Sequence, residues 1–125
     1  MARKHSTPQA DASEVLTAAT LRAADNLHVS NRELAEIIGV SPSFVSKLKA
    51  GNAVLQIRGK PAELAAHFLR AYRSLDAIVG GDDKTSAQWL RNHNTALGHV
   101  PIAYIKTVQG LIDTVQYLDQ RRAPL

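Results

Sequence analysis

The chain contains no cysteine, which removes disulfides, thiolate zinc sites and thiol nucleophiles together and points to a reducing compartment. It also lacks any apolar run near the roughly 18 residues that a bilayer-spanning helix needs. The basic opening MARKHSTPQA holds no apolar stretch able to act as a signal peptide. The expectation is a cytoplasmic protein with no membrane partner. Strand signals are scarce as well: β-branched alternating runs are few, and neither Asn-Gly nor Asp-Gly occurs. There is no glycine-rich phosphate loop and no nucleophile elbow. The five histidines form no ligand set, since His93 and His99 are neither one helical turn apart nor joined to a carboxylate in a ligand pattern. His28 and His67 read as a helix-end and a surface residue. No catalytic residue, metal or cofactor is expected, and the chain does not read as an enzyme.

What is present favours helix. Ala, Leu, Arg and Glu are abundant, and 125 residues with 45% apolar content can form one ordinary domain or two small ones sharing a core. The expected fold is all-α, an N-terminal bundle of helices joined by a long helix to a small C-terminal helical domain. A net charge of +4 and a pI near 9.7 favour an anionic partner without naming one.

Caps and stops divide the chain. Residues 1–10 read as a flexible N-terminus. Asp11 and Glu14 have capping-box spacing for a first helix reaching about Leu27, with Val15, Leu16, Ala19, Ala23 and Leu27 as its buried stripe. Ser30 and Glu33 repeat that spacing for a short second helix ending near Gly39. Ser41 and Pro42 start a third, which Gly51 ends. Asn52 to Gly59 is read as a loop, closing a first unit over 11–60. A connecting and dimerising helix follows over 61–80, opened by Pro61 and Glu63, with the stripe Leu64, Phe68, Tyr72, Leu75 and Val79, and stopped by Gly80-Gly81. The last unit covers 81–125. Asp83 or Thr85 caps a short helix carrying Trp89 and Leu90, Asn92 and Asn94 suit a turn, and Pro101 restarts the chain. Thr107 caps a final helix with the stripe Val108, Leu111, Ile112, Val115 and Leu118.

In NRELAEIIGVSPSFVSKLKAG, Asn31 to Gly51, Ala35 allows two helices to cross closely. Gly39 supplies the positive φ of a tight turn, and Leu34, Ile38, Val40, Val45 and Leu48 join the pair. With Val45 and Leu48 turned inward, Pro42, Ser43, Ser46 and Lys47 face outward, with Phe44 beside them. This pattern resembles the helix-turn-helix of the phage-repressor (Xre-like) family. The resemblance implies that this face enters the major groove of operator DNA, with Ser43, Lys47 and Phe44 at base edges and Ser41, Ser46, Lys49, Arg58 and Lys60 on phosphates. No Arg, Asn or Gln on that face can pair bidentately with a base, so direct readout by one copy is weak and a homodimer is expected, through the apolar face of Pro61 to Val79.

The second half has a residue order of its own: Trp89-Leu90, then Asn94-x-x-Leu97-Gly98, Pro101, Ile105-x-Thr107-x-Gln109-Gly110, and Val115-x-x-Leu118. Glycine inside the first turn of a helix, as at Gly110, is about 1 kcal/mol worse than alanine and suggests that another backbone or a partner comes close. From about Ala77 to Arg122 the order is similar to the toxin-binding domain of Xre/MbcA/ParS-type antitoxins. Members often carry Glu where this chain has Gln109. The resemblance implies a RES-domain toxin as partner, an enzyme that attacks NAD or ADP-ribosylates a host protein, its active site blocked by the antitoxin. It further implies that Trp89, Asn94, Leu97, Gly98, Pro101, Thr107 and Gly110 build the domain, while Gln109, Gln116, Asp119, Gln120, Arg121, Arg122 and Leu125 meet the toxin. The competing reading is a stand-alone dimeric repressor whose second half only oligomerises or senses a ligand.

Overall fold

The computed structural model describes residues 7–122. Among them lie the helices α1 (Pro8–Asn26), α2 (Asn31–Ile38), α3 (Pro42–Ala50), α4 (Lys60–Ile78), α5 (Asp83–Arg91), α6 (Pro101–Tyr104) and α7 (Val108–Arg122). No β-strand occurs among the described residues, and the single β-bridge joins Asn94 to His99. The fold is all-helical, as the composition indicates.

The cap chemistry explains most of the boundaries. At Ser30 both halves of the capping box form: its Oγ accepts from the Glu33 amide at 3.1 Å, and Glu33 Oε1 accepts from the Ser30 amide at 3.0 Å. Ser41 Oγ accepts from the Phe44 amide at 3.1 Å, with Pro42 in the first turn. Gly39 and Gly51 end α2 and α3 at φ 76° and 79°, the left-handed region that a glycine enters without strain. Two starts differ from expectation. Helix α1 begins one turn early because Thr7 Oγ1 accepts from the Ala10 amide and Pro8 pre-sets the first turn, leaving Asp11 as a favourable first-turn charge rather than a cap. Residues 8–10 are therefore helical. Helix α5 is capped by Asp82, not by Asp83 or Thr85: its carboxylate accepts from the amides of Lys84 and Thr85 and from the Thr85 hydroxyl.

The buried face of α1 keeps Ala23 and Leu27 of the expected stripe but not its N-terminal members. Val15 is 69% exposed and Leu16 and Ala19 are only half-buried, whereas Ser13, Thr17, Thr20, Ala23, Ala24 and Leu27 are inside. The loop over 52–59 supplies the reason. It crosses α1 with no strand beside it, so its amides need acceptors. Ser13 Oγ accepts from the Ile57 amide at 3.0 Å and Thr17 Oγ1 from the Leu55 amide at 2.8 Å. Leu55 then plugs the core at 2% exposure.

Helix α4 is the axis of the molecule. It packs against α1 and α2 on the N-terminal side and along α7 on the other, with Ala62, Leu64, Ala65, Phe68, Leu69, Ala71, Ser74 and Leu75 buried. The face expected to hold a second copy is thus covered within the chain, because a C-terminal segment of some 45 residues has too little apolar surface to form a core alone and takes this one. On α7, Leu111, Val115 and Leu118 are buried as expected, while Val108 is 60% exposed.

Candidate functional site

Two surfaces carry the residues singled out by the sequence. The first is the outward side of α3. Val45 and Leu48 are buried against the core, and Pro42, Ser43, Ser46 and Lys47 are exposed, as helical periodicity requires. Lys49 is exposed and stands 4.0 Å from the Asp25 carboxylate, and Arg58 is exposed on the loop before α4. Four side chains are less available than the sequence implies. Phe44 is half-buried against the core rather than projecting. Ser46 Oγ donates to the Pro42 carbonyl at 3.3 Å, and Lys60 pairs with Glu63 at 2.8 Å. Ser41 is engaged as a cap and also touches the Ser43 hydroxyl at 3.1 Å. Ser43 and Lys47 remain as the forward-facing pair.

The second surface is built on α7. Asn94 organises the turn before α6, its Oδ1 accepting from the Leu97 amide at 2.9 Å and its carbonyl from the Gly98 amide at 2.8 Å. Gly98 sits at φ 73°, and Pro101 is buried at the start of α6. Thr107 Oγ1 accepts from the Gly110 amide and donates to the Tyr104 carbonyl, both at 3.0 Å. A Cβ on Gly110 would lie 1.9 Å from that Tyr104 oxygen. Only glycine lets the α6 carbonyl approach the first turn of α7 so closely.

This corner aims part of α7 outward. Tyr104, Asp113, Gln116, Tyr117 and Gln120, with Ala96 and Leu97 of the α5–α6 turn, line a shallow groove of about 300 Å³. Two of its polar groups, Tyr104 and Asp113, are pre-arranged. The Tyr104 hydroxyl donates to Asp113, and Gln109 Nε2 donates to the same carboxylate at 2.8 Å. The Tyr104 hydroxyl and the Gln109 amide hold the Asp113 carboxyl below its usual pKa, while the carboxylate raises that of Tyr104. His99 stacks on Tyr104 at 4.1 Å. Trp89 stacks on Tyr117 at 6.5 Å between ring centres, and the Arg121 guanidinium lies 5.7 Å over the Tyr117 ring.

The candidate partner-binding residues therefore separate. Gln116, Gln120 and Arg121 are exposed on the groove side, and Gln109 buttresses it. Asp119 does not face outward to a partner. Its Oδ2 accepts from Arg70 Nε at 2.6 Å and its Oδ1 from Ser74 Oγ at 2.7 Å, docking α7 onto α4. Burial works against ionisation of Asp119, but the bonds from Ser74 and Arg70 outweigh it and keep the carboxyl low. Arg122 lies on that opposite edge with Arg70 and Arg73. Leu125 lies outside the described residues. Tyr104, Asp113 and Tyr117 were not singled out by sequence, although Tyr117 and Arg121 have the i, i+4 spacing of an aromatic–cation pair on one helix face.

Among the described residues no cluster of His, Cys, Asp and Glu could hold a metal ion, and no helix is long and apolar enough to cross a membrane. Comparison with known proteins agrees with the division into two surfaces. Residues 8–70 match the family model described as the antitoxin Xre-like helix-turn-helix domain. Residues 74–123 match the antitoxin Xre/MbcA/ParS C-terminal toxin-binding domain. No individual curated protein matches the chain. The two matches meet inside α4, between Arg70 and Ser74, with the DNA-reading surface on one side of the meeting point and the grooved α7 platform on the other. The chain belongs to the Xre-type antitoxins, carrying a helix-turn-helix domain followed by an Xre/MbcA/ParS toxin-binding domain.

Proposed function

We propose that the chain is the antitoxin of a type II system that occludes the active site of a RES-domain, NAD-consuming or ADP-ribosylating toxin, and represses its own operon through α3. The observation that carries the first part is the groove of α7. Tyr104, Asp113, Tyr117 and Arg121 are held by neighbours, so little order is lost at these side chains when a partner seats there, while Gln116 and Gln120 stand exposed to meet it. The groove lies wholly within the segment matched to the toxin-binding family. Gln116, Tyr117, Gln120 and Arg121 are the contact residues of this reading.

Repression draws its support from the exposed Ser43 and Lys47 on a helix capped and tied for groove insertion. Reading two half-sites asks for two copies. With the α4 face covered, the apolar stripe left for a homodimer is Ala12, Val15, Leu16 and Ala19 beside Leu69, and mass measurement with and without Val15→Glu tests that assignment.

Coexpression decides the main proposal. Cells carrying a RES toxin are expected to grow when this chain is present and to stop growing when Gln116 and Tyr117 are both alanine in a protein of unchanged melting temperature. Growth rescue indifferent to that pair would sink the α7 assignment, and failure of the wild type to rescue from any toxin gene beside its own would sink the antitoxin reading.

A further inference from the structure

One guanidinium holds three helix ends together. Arg91 closes α5, and its Nη1 donates to Glu33 Oε2 at 2.5 Å while its Nη2 donates to Glu33 Oε1 at 2.9 Å and to the His28 carbonyl at 2.8 Å. Glu33 is the residue whose other duty is the α2 capping box, and its side chain is only 18% exposed. The hydrogen bond from Arg91, opposed by burial and helped by the Ser30 amide, lowers its pKa to about 2. His28 is the one non-glycine residue with positive φ among those described, at 56°. It occupies the left-handed position just after α1, where the Val29 amide turns back to the Ala24 carbonyl at 2.8 Å. A non-glycine residue there is strained by about 1 kcal/mol or more. A bond from Arg91 to its carbonyl favours the strained turn that sets the angle between α1 and α2. One turn further along α2, Glu36 pairs with Lys106, from the α6–α7 link, at 3.5 Å.

We infer that Arg91, with Lys106 in support, is a positioning residue for DNA binding: the C-terminal domain fixes, through the acidic edge Glu33–Glu36, the attitude of the helix that carries α3. Helix α3 is joined chiefly to α2, through the buried Leu34, Ile38, Val45 and Leu48. An error in the orientation of α2 is therefore passed directly to Ser43 and Lys47. Helix α2 also rests on α4, so the clamp trims an orientation that is already approximately right. Arg91 belongs to the segment matched as toxin-binding and acts on the segment matched as DNA-binding. Whatever shifts the end of α5 thus changes operator affinity, and by linkage operator DNA changes the affinity of that partner equally.

The inference rests on the DNA-reading role of α3, and the experiment separates the two. The probe is the duplex that the full wild-type chain enriches from a random-sequence pool, bound at 10 °C over a series of salt concentrations. Arg91→Ala is expected to weaken its binding about tenfold, within the usual range for coupled sites, with the slope of log affinity against log salt unchanged, because Arg91 neutralises a carboxylate and not a phosphate. Arg91→Lys keeps the charge but loses the fork, and should recover only part of the loss. Lys106→Ala, remote from the strained turn and so a safeguard should Arg91→Ala fold poorly, is expected to weaken binding about twofold to threefold. Hydrogen exchange at the first amides of α2 should rise in the same order. Two results overturn the inference while leaving DNA reading intact: unchanged affinity in folded Arg91→Lys and Lys106→Ala proteins, or a salt slope reduced by about 0.9 in an Arg91 variant, which would make the guanidinium a phosphate contact. No duplex enriched by the wild type would remove both.

Discussion

Helices α3 and α7 both carry residues that the sequence assigns to binding, yet the two are built oppositely. Helix α3 has nine residues, rests chiefly on α2, and leaves Ser43 and Lys47 projecting into solvent. Helix α7 has fifteen residues and lies along α4, and its charged side chains Asp113, Asp119 and Arg121 already have partners in the chain: Asp113 with Tyr104 and Gln109, Asp119 with Arg70 and Ser74, Arg121 over Tyr117. A short helix with free side chains suits a ligand whose phosphates supply most of the affinity and whose bases are sampled one after another. A long helix with fixed side chains suits a folded protein partner, where ordering loose groups would cost affinity.

The sharpest way to break the contrast is at the foundation of α7. Gly110→Ala places a methyl carbon 1.9 Å from the Tyr104 carbonyl oxygen and 2.7 Å from its carbon, both backbone atoms that cannot swing aside. The α6–α7 corner must open, at a cost of about 3 kcal/mol, seen as a melting temperature lower by about 10 °C and loss of toxin rescue. Next in size is the groove itself. The double change Gln116→Ala/Tyr117→Ala is expected to weaken partner binding by about 2 kcal/mol while leaving duplex binding unchanged, measured by calorimetry and gel shift on the same preparation. On α3, Lys47→Ala should weaken specific binding by about 1 kcal/mol and alter base preference, whereas Lys49→Ala should chiefly lower the salt slope by about 0.9. If both lysines act alike, α3 does not present Lys47 to base edges.

A further effect is one of acidity, confined to low pH. The folded-state pKa of Glu33 is lowered from 4.5 to about 2, so the ionised carboxylate contributes stability that is complete above pH 4.5 and lost as pH falls from there through 2. Glu33→Gln should flatten the acid side of a stability profile across that interval and leave the neutral side parallel to the wild type. A profile as steep as before would show that other carboxylates dominate acid unfolding.

How far the sequence was readable follows the same contrast. In the helix-turn-helix every constraint is local: a cap, a small residue, a glycine and apolar positions within 21 residues, and each appears where expected. In the C-terminal half the turns, the stops and the Thr107 cap were legible for the same reason, although the α5 cap fell on Asp82 rather than Asp83 or Thr85, and Gly110 announced a close backbone. What could not be read were bonds between residues far apart in the chain, such as Arg70 to Asp119 or Arg91 to Glu33, because no spacing rule links them. The misread face of α1 has a related cause. Ser13 and Thr17 serve amides about forty residues away, so the aliphatic stripe held at Ala23 and Leu27 but failed at Val15, assigned to the core from local pattern alone. Asp119 was assigned to the partner surface through the resemblance of the last helix, whereas its carboxylate is held by Arg70 and Ser74 of α4.

The meeting of the two family segments inside α4 bears on how such chains can be recombined. A seam between Arg70 and Ser74 divides Phe68 from Leu75 and Arg70 from Asp119, so neither piece is a detachable module. A hybrid that joins one antitoxin's reader to another's toxin-binding half would mix two sets of α4 contacts at its centre. Exchange of partner specificity between relatives is then expected to proceed by substitutions on the outer face of α7 more readily than by shuffling whole domains, with α4 inherited as a single block.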